Sequence, residues 1–262
     1  MTQQERLLYL IKYLKSENTE WSRLEIPENE TAQKRLLRSL MNIRPPKAIS
    51  EEFLDIQDKY LQEEQKQKRI VSLTELSPVK EGIYLWQGDI TTLRTDGIVN
   101  AANSALLGCF IPCHGCIDNA IHSAAGIQLR LECSCIMAEQ KAAEPAGRAK
   151  ITKAYNLPCR YVLHTVGPII RGRVTKQDCK RLADCYRSCL ELAEHHGLKS
   201  VAFCCISTGE FHFPNEKAAE IAVGAVINYK RENQSGLEVV FNVWKDTDYE
   251  IYKRLLFADE TA

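Results

Sequence analysis

The chain has 262 residues, 45% of them hydrophobic, which is enough to bury the core of one large domain, and no apolar run is long enough to span a bilayer. Its formal net charge of +0 argues against a dedicated nucleic-acid binder. Several of the eleven cysteines lie inside apolar runs, and residues 1–20 lack the apolar stretch of a secretory signal. We therefore expect buried thiols and no disulfides, in a cytoplasmic protein that contacts no membrane.

The first 70 residues have a helical pattern. Apolar residues recur at helical spacing in 5–14, 34–43 and 51–64. Pro45 and Pro46 separate the last two segments, because proline cannot continue a helix. There is no strand pattern and no chemical motif here. Residues 1–72 are therefore expected to form a helical N-terminal extension that docks or packs on the main domain and takes no part in catalysis.

From residue 83 onwards, predicted strands alternate with predicted helices. The strands are predicted at 83–85, 97–103, 161–166, 201–206 and 237–243, and the helices at 117–125, 128–139, 175–195, 214–232 and 248–256. This alternation predicts an α/β domain over 73–262, with a sheet covered on both faces. Ligands of such sheets bind beyond the carboxyl ends of the strands. Three polar segments that contain glycine lie there: 100–118, 167–173 and 207–213.

The segment 108–122 contains the highest density of reactive side chains. Four soft ligands lie within eight residues: Cys109, Cys113, His114 and Cys116. Sulfur and imidazole nitrogen in so short a loop favour Zn²⁺. A carboxylate, Asp118, follows at the predicted start of a helix. A metal beside a carboxylate indicates a catalytic site more than a purely structural one.

Two other segments offer polar groups at strand ends. Asp89 follows the strand predicted at 83–85. Asn100 and Asn103 flank two alanines, whose small side chains allow a ligand to approach closely. A carboxamide can both donate to and accept from a sugar hydroxyl. Taken singly, each of these residues is better explained by local capping of the backbone.

Residues 207–214 join a buried strand to a helix. Gly209 permits tight backbone geometry there. Backbone N–H groups next to a helix N-terminus suit a diphosphate. Phe211 or Phe213 could form a wall of the pocket, although a phenylalanine is more often part of a core.

Together these segments resemble the macrodomain family of ADP-ribose binders. The matching pieces recur in the family's order over roughly residues 80–257, at 88–91, 99–103, 117–122, 164–168 and 207–214. The family's usual glycine-rich run is replaced by the cysteine-containing run 108–116, which resembles the zinc-containing branch of bacteria and some microbial eukaryotes. That branch also has an N-terminal helical extension. The resemblance implies a three-layer α/β/α fold with a mixed central sheet.

The resemblance also implies a ligand set for one Zn²⁺ per chain. The ligands would be Cys109, His114 and Cys116, with Cys113 outside the set. Three protein ligands leave a fourth zinc position open, which is typical of catalytic sites, where the ion activates water or polarises a substrate oxygen. A closed, structural site that uses Cys113 as well remains an alternative.

Further residue roles follow from the resemblance alone. Asp89 would accept a hydrogen bond from the adenine amino group, with Ile90 packed nearby. Asn103 would hold the distal-ribose hydroxyls, and Asp118 would lie near the anomeric carbon, so these two are the expected catalytic residues. The remaining residues expected to bind the ligand, around the diphosphate and the distal ribose, are Ile117, Ser207, Thr208, Gly209, Glu210 and Phe211.

These expectations favour a zinc-dependent hydrolase that removes mono-ADP-ribose from protein side chains, with Asp118 orienting or deprotonating the attacking water. In the resembled branch the partner is a lipoyl-carrier protein modified by a sirtuin-type enzyme. Two alternatives stay open. One is a reader that binds ADP-ribose without turnover, and the other is a hydrolase of small esters such as O-acetyl-ADP-ribose.

Overall fold

The computed structural model describes residues 1–257. The N-terminal part contains α1 (Gln3–Ser16), α2 (Thr19–Ser22), α3 (Glu30–Ile43) and α4 (Glu51–Lys66). The three predicted helices are present, and the short α2 was not predicted. Side chains of Thr2, Asn29 and Ser50 accept hydrogen bonds from first-turn N–H groups and begin the three longer helices. The apolar sides of these helices form one hydrophobic cluster, to which Ile127 of the following domain also belongs.

The main sheet has seven strands within the described residues. They are β2 (Pro78–Lys80), β3 (Ile83–Gln87), β5 (Gly97–Ala101), β6 (Ala149–Lys153), β7 (Tyr161–Thr165), β8 (Ser200–Phe203) and β9 (Glu238–Val243). The spatial order is β2-β3-β9-β8-β5-β7-β6. The five inner strands are parallel, and the edge strands β2 and β6 are antiparallel to their neighbours. The sheet is therefore mixed, as expected.

Helices cover the sheet on both faces. They are α5 (Ile117–Ala125), α6 (Ile127–Gln140), α7 (Lys176–His195), α8 (Asn215–Asn233) and α9 (Asp246–Phe257). Helices α7, α8 and α9 pack side by side, and α5 packs on α6, on β5 and on α3 of the extension. The four inner strands β9, β8, β5 and β7 are buried on both faces, which explains their largely apolar sequences, whereas β3 is buried only at its start. The predicted three-layer α/β/α architecture is confirmed.

Some local predictions need correction. Strand β8 ends at Phe203, three residues before the predicted end, because the chain leaves the sheet towards a turn at Ser207, where φ is 66°. Strands β2 and β6 were not predicted, since short edge strands carry only a weak pattern.

Near the proposed division after residue 72, β1 (Val71–Ser72) pairs in parallel with β4 (Leu93–Arg94). The last five residues of the predicted range 73–262 lie outside the described part of the chain. No helix in residues 1–257 has the length and apolar character required to traverse a membrane.

Candidate active site

The candidate site lies at the carboxyl end of the central strand β5, where Asn100 occupies the next-to-last position. Asn100 is fully buried and pairs in register with His164 of β7. Its Nδ2 donates to Oδ1 of Asp118 over 2.8 Å and lies 3.2 Å from Nδ1 of His164. Asn100 therefore connects two strands to the first turn of α5.

Asp118 is 5% exposed, in the first turn of α5. Burial raises the pKa of its carboxyl to about 6, while the Asn100 hydrogen bond and the nearby Arg130 oppose this rise. The carboxylate stays ionised at neutral pH but is a better proton acceptor than an exposed aspartate. His122 Nε2 lies 3.5 Å from Asp118 Oδ1, but burial lowers the pKa of His122 well below its usual value. We therefore do not regard this contact as an ion pair.

Asn103 has two tasks. Its Oδ1 accepts from the backbone N–H of Ala105 over 3.0 Å, which is the local capping that the sequence left open. Its Nδ2 donates to the carbonyl of Gly108 over 3.1 Å and lies 3.4 Å from Oδ2 of Asp118. The carboxamide thus caps its own turn and still faces the carboxylate.

Residues 108–116, here called the metal loop, bring three of the four soft ligands together. The ligand atoms of Cys109, His114 and Cys116 lie within 4.8 Å of one another, and Cys109 Sγ is 3.7 Å from His114 Nδ1. All three side chains are half-buried. Burial raises the pKa of the Cys116 thiol to about 12, and the neighbouring Cys109 adds to the rise. Two sulfurs and one imidazole suit Zn²⁺, which would stabilise the thiolates, so these residues fit the expected ion.

Cys113 is turned away from this group. Its backbone is in the left-handed region, with φ at 51°. Its Sγ lies 3.3 Å from the hydroxyl of Ser39 and 3.4 Å from the carbonyl of Arg35, both on α3. The geometry therefore favours a three-residue ligand set over the closed set of four.

A second group of possible ligands, His122, Cys133 and His164, is buried beneath the site. Both ring nitrogens of His164 already have partners, because Nδ1 faces Asn100 and Nε2 lies 2.9 Å from the hydroxyl of Thr152. Burial lowers the pKa of His164 to about 4 and raises that of the Cys133 thiol to about 12. These groups are neutral at pH 7, and we interpret them as packing beneath Asp118.

The turn after β8, at residues 207–213, lies at the same carboxyl edge of the sheet as the end of β5. A Cβ at Gly167 would come 1.9 Å from Ser207 Oγ, so only glycine lets the segment after β7 approach this turn. Ser207 Oγ is buried and has no hydrogen-bond partner among the described residues. The Thr208 hydroxyl donates to the carbonyl of Cys205, and the N–H of His212 donates to the carbonyl of Gly209. These hydrogen bonds stabilise the shape of the turn.

Two side chains of this turn point in different directions. Phe211 packs with Ala102, Leu106 and Val166 beside the end of β5, whereas Phe213 is a core residue. Of the two candidate wall residues, Phe211 is therefore the one beside the site. Glu210 is exposed, and its Oε1 lies 3.6 Å from Nε2 of His114. The turn and the metal loop thus meet at this pair.

Asp89 follows β3 at the same edge of the sheet. Its Oδ1 accepts from the N–H and the hydroxyl of Thr91, over 3.0 and 2.7 Å. Its Oδ2 lies 3.7 Å from Nζ of Lys68, and the side chain is 41% exposed. Ile90 is buried in the core, and Ile117 is half-buried at the start of α5. Asp89 therefore caps a turn and keeps one oxygen accessible.

Sequence reasoning missed the residues that hold the metal loop from outside, namely Arg38, Asn42, Asn119 and Arg130. The first two lie on a helix that was assigned no chemical role. Only Arg130 gave a signal, because it stands between Leu129 and Leu131 in α6, and it is 5% exposed. A buried arginine needs several acceptors, which sequence alone cannot identify.

Comparison with known proteins gives consistent matches. The family model described as "Macro domain" matches residues 99–222. The chain is 56% identical over 260 residues to a protein-ADP-ribose hydrolase of Treponema medium, an alignment that covers 98% of this chain and 100% of the relative. It is 48% identical over 256 residues to a protein-ADP-ribose hydrolase of Staphylococcus aureus (strain MSSA476), covering 97% and 96%.

A solved structure agrees with these sequence matches. It is the Trypanosoma brucei macrodomain in complex with ADP-ribose, which superposes with a TM-score of 0.65 at 32% identity, over 87% of this chain and 96% of that one. High identity over nearly the full length and a shared architecture lead to one conclusion: the chain belongs to the macro domain family.

Proposed function

We propose that this protein is a zinc-dependent hydrolase that releases mono-ADP-ribose from modified protein side chains. The observation that carries the proposal is the buried carboxylate of Asp118, which faces Asn100 and Asn103 in the helix turn that Cys116 caps. A buried ionisable group in such a place is typical of catalytic sites. Two relatives, 56% and 48% identical, are protein-ADP-ribose hydrolases, which favours an enzyme over a reader.

In the proposed complex, ADP-ribose lies along the carboxyl edge of the sheet. Asp89 accepts from the adenine amino group beside Ile90, and the turn 207–211 wraps the diphosphate with its backbone N–H groups. Ile117, Asn103 and Phe211 surround the distal ribose. Support comes from the topology: β3, β5 and β8 are parallel, so the segments that follow them emerge at one edge, where ligands of such sheets bind.

The proposed reaction is attack of water on the anomeric carbon of the distal ribose. The bond from this carbon to the protein side chain breaks, and the side chain leaves with the electron pair. Asp118 accepts the proton of the water, Asn100 keeps the carboxylate oriented, and Asn103 holds a ribose hydroxyl. Cys109, His114 and Cys116 would hold one zinc ion, which would supply Lewis acidity at the distal-ribose end.

The proposal also covers the division of the chain, the cellular environment and the protein substrate. Residues 1–72 and 73–262 form two parts, which is supported by a hydrophobic cluster built mainly from α1, α3 and α4. All eleven cysteines are free thiols, which fits a reducing, cytoplasmic environment. A lipoyl-carrier protein modified by a sirtuin-type enzyme is the substrate to test first.

The test is release of free ADP-ribose from a mono-ADP-ribosylated protein, with and without a chelator and with zinc restored. We expect release that stops with the chelator and returns with zinc. Tight binding of ADP-ribose without release under any metal condition would identify a reader. Turnover of O-acetyl-ADP-ribose without turnover of the modified protein would identify the ester hydrolase.

A further inference from the structure

The metal loop has no helix or strand of its own, so its backbone groups need partners elsewhere. Its shape therefore depends on side chains from outside the loop. Several of these contacts come from α3 of the N-terminal extension, more than 70 residues earlier in the chain.

Arg38 of α3 makes the first set of contacts. Its Nη2 donates to the carbonyl of His114 over 3.1 Å. Nη2 and Nε also donate to Oδ1 of Asn119, over 2.7 and 3.1 Å. The guanidinium fork thus binds a proposed metal ligand and the first turn of α5 at the same time.

Asn119 itself makes hydrogen bonds to two further residues of the loop. It is fully buried. Its Nδ2 donates to the carbonyl of Ile111 over 3.0 Å, and its backbone N–H donates to Sγ of Cys116 over 3.4 Å. Through the side chain and the backbone N–H of Asn119, Arg38 is therefore connected to Cys116, the second proposed metal ligand, as well.

Asn42, one helical turn after Arg38, makes the second set of contacts. Its Oδ1 accepts from the N–H of Cys113 over 2.9 Å, and its Nδ2 donates to Ser123 of α5 over 2.9 Å. Contacts of Asn42 with the loop and with α5 fix the loop relative to the helix that carries Asp118.

Helix α3 is itself anchored by Arg130 of α6. The Arg130 guanidinium donates to the carbonyls of Met41, Asn42 and Arg44, at the end of α3, over 3.0, 2.7 and 2.6 Å. It also donates to the carbonyl of Leu107 over 2.6 Å, just before the metal loop. Because this arginine is buried, the contact makes α3 a rigid support for the loop.

We propose that α3 is part of the catalytic site and that Arg38 is a positioning residue, which holds His114 directly and Cys116 through Asn119. The inference rests on the proposed function and assigns to the extension a task in it. Partners that orient metal ligands control metal affinity and activity. At the adenine end of the site, the hydrogen bonds and the ion pair found for the Asp89 carboxylate within residues 1–257 are with Thr91 and Lys68, neither of which lies on α3, so nucleotide binding should depend little on Arg38.

The test compares Arg38→Ala and Asn42→Ala with Arg35→Ala in the full-length chain. Arg35 is a matched control because its exposed side chain lies on the same helix, and its hydrogen bond with the loop is made by the backbone carbonyl, which alanine retains. Zinc affinity is measured by competition with a chromophoric chelator, ADP-ribose affinity by calorimetry, and kcat by release of ADP-ribose.

We expect Arg38→Ala to lower zinc affinity and kcat about 10–100-fold, with ADP-ribose affinity changed by less than about threefold. Asn42→Ala should change the same quantities in the same direction, and Arg35→Ala should match the wild type. Wild-type zinc affinity in folded Arg38→Ala and Asn42→Ala would overturn the inference. An equal loss of zinc and ADP-ribose affinity would also overturn it, because α3 would then support the fold in general.

The outcome does not depend on turnover. If the wild type releases no ADP-ribose, the proposed function fails, but the zinc affinities of the same variants still decide the role of Arg38. If the wild type releases ADP-ribose and all variants bind zinc equally, the proposed function stands and the role of α3 is wrong.

Discussion

Asn100 donates a 2.8 Å hydrogen bond to Oδ1 of Asp118, and this pair joins the carboxyl end of the central strand to the first turn of α5. A buried carboxylate without a partner is costly, so the bond keeps Asp118 in one orientation. The other oxygen, Oδ2, is left facing Asn103. The strand thus determines which way the proposed base points.

Asp118 of this pair and the neighbouring Asn103 should respond differently to substitution. Asp118→Asn keeps the size of the side chain but removes the proton acceptor, so we expect kcat to fall about 10²–10⁴-fold while ADP-ribose affinity changes little. Asn103→Ala removes a proposed ribose contact and should impair both binding and turnover. Single-turnover release and calorimetry on both variants measure this. Release that persists in Asp118→Asn would contradict the assignment of the base.

The three cysteines of the metal loop should differ in their importance for zinc binding. Cys109→Ala and Cys116→Ala should lose zinc, because each removes one of three converging ligand atoms. Cys113→Ala should retain zinc, since the Cys113 thiol faces Ser39 and the carbonyl of Arg35. Elemental analysis of the purified variants measures the metal content. A requirement for Cys113 would show that the site is closed by four ligands.

Asp89→Ala should weaken ADP-ribose binding. A hydrogen bond to a charged acceptor is worth about 1.5–3 kcal/mol, so the affinity should fall about 10–100-fold. Lys68→Ala is a useful control. The exposed Lys68 side chain contacts the Asp89 carboxylate, and it should not be required for ADP-ribose binding. Calorimetry that gives unchanged affinity for Asp89→Ala in a folded protein would remove the adenine assignment.

Acid should destabilise the protein through His164. Burial lowers its pKa in the folded state to about 4, below the ordinary value of 6.5. Above pH 6.5 the residue is neutral in both states, and between 6.5 and about 4 only the unfolded state binds the proton. The free energy of unfolding should therefore fall by up to about 3 kcal/mol over this window.

The comparison for this effect is His164→Gln, which cannot titrate. Urea unfolding of both proteins between pH 7 and pH 4 should show a shallower pH dependence for the variant, since other titrating groups are common to both. Parallel pH profiles would mean that His164 is not buried in the neutral form.

Short-range features of this protein were predictable from its sequence. The succession of inner strands and long helices along the chain follows from hydrophobic periodicity, which is local. The four soft ligands lie within eight residues, so their proximity follows from the covalent chain alone. Polar segments after parallel strands meet at one edge of a sheet, which allowed 100–118, 167–173 and 207–213 to be grouped in advance, whereas Asp89 was added to them through the family resemblance.

The direction of each side chain depends on contacts between distant parts of the chain. Cys113 has the same chemistry as Cys109 and Cys116, and only its packing against α3 separates it from them. Arg38 belongs to a segment without any motif, yet its guanidinium reaches His114 and Asn119, 76 and 81 residues further on. Local sequence therefore determined which groups are available, whereas tertiary packing decided which of them converge, because a side chain's orientation depends on what surrounds it.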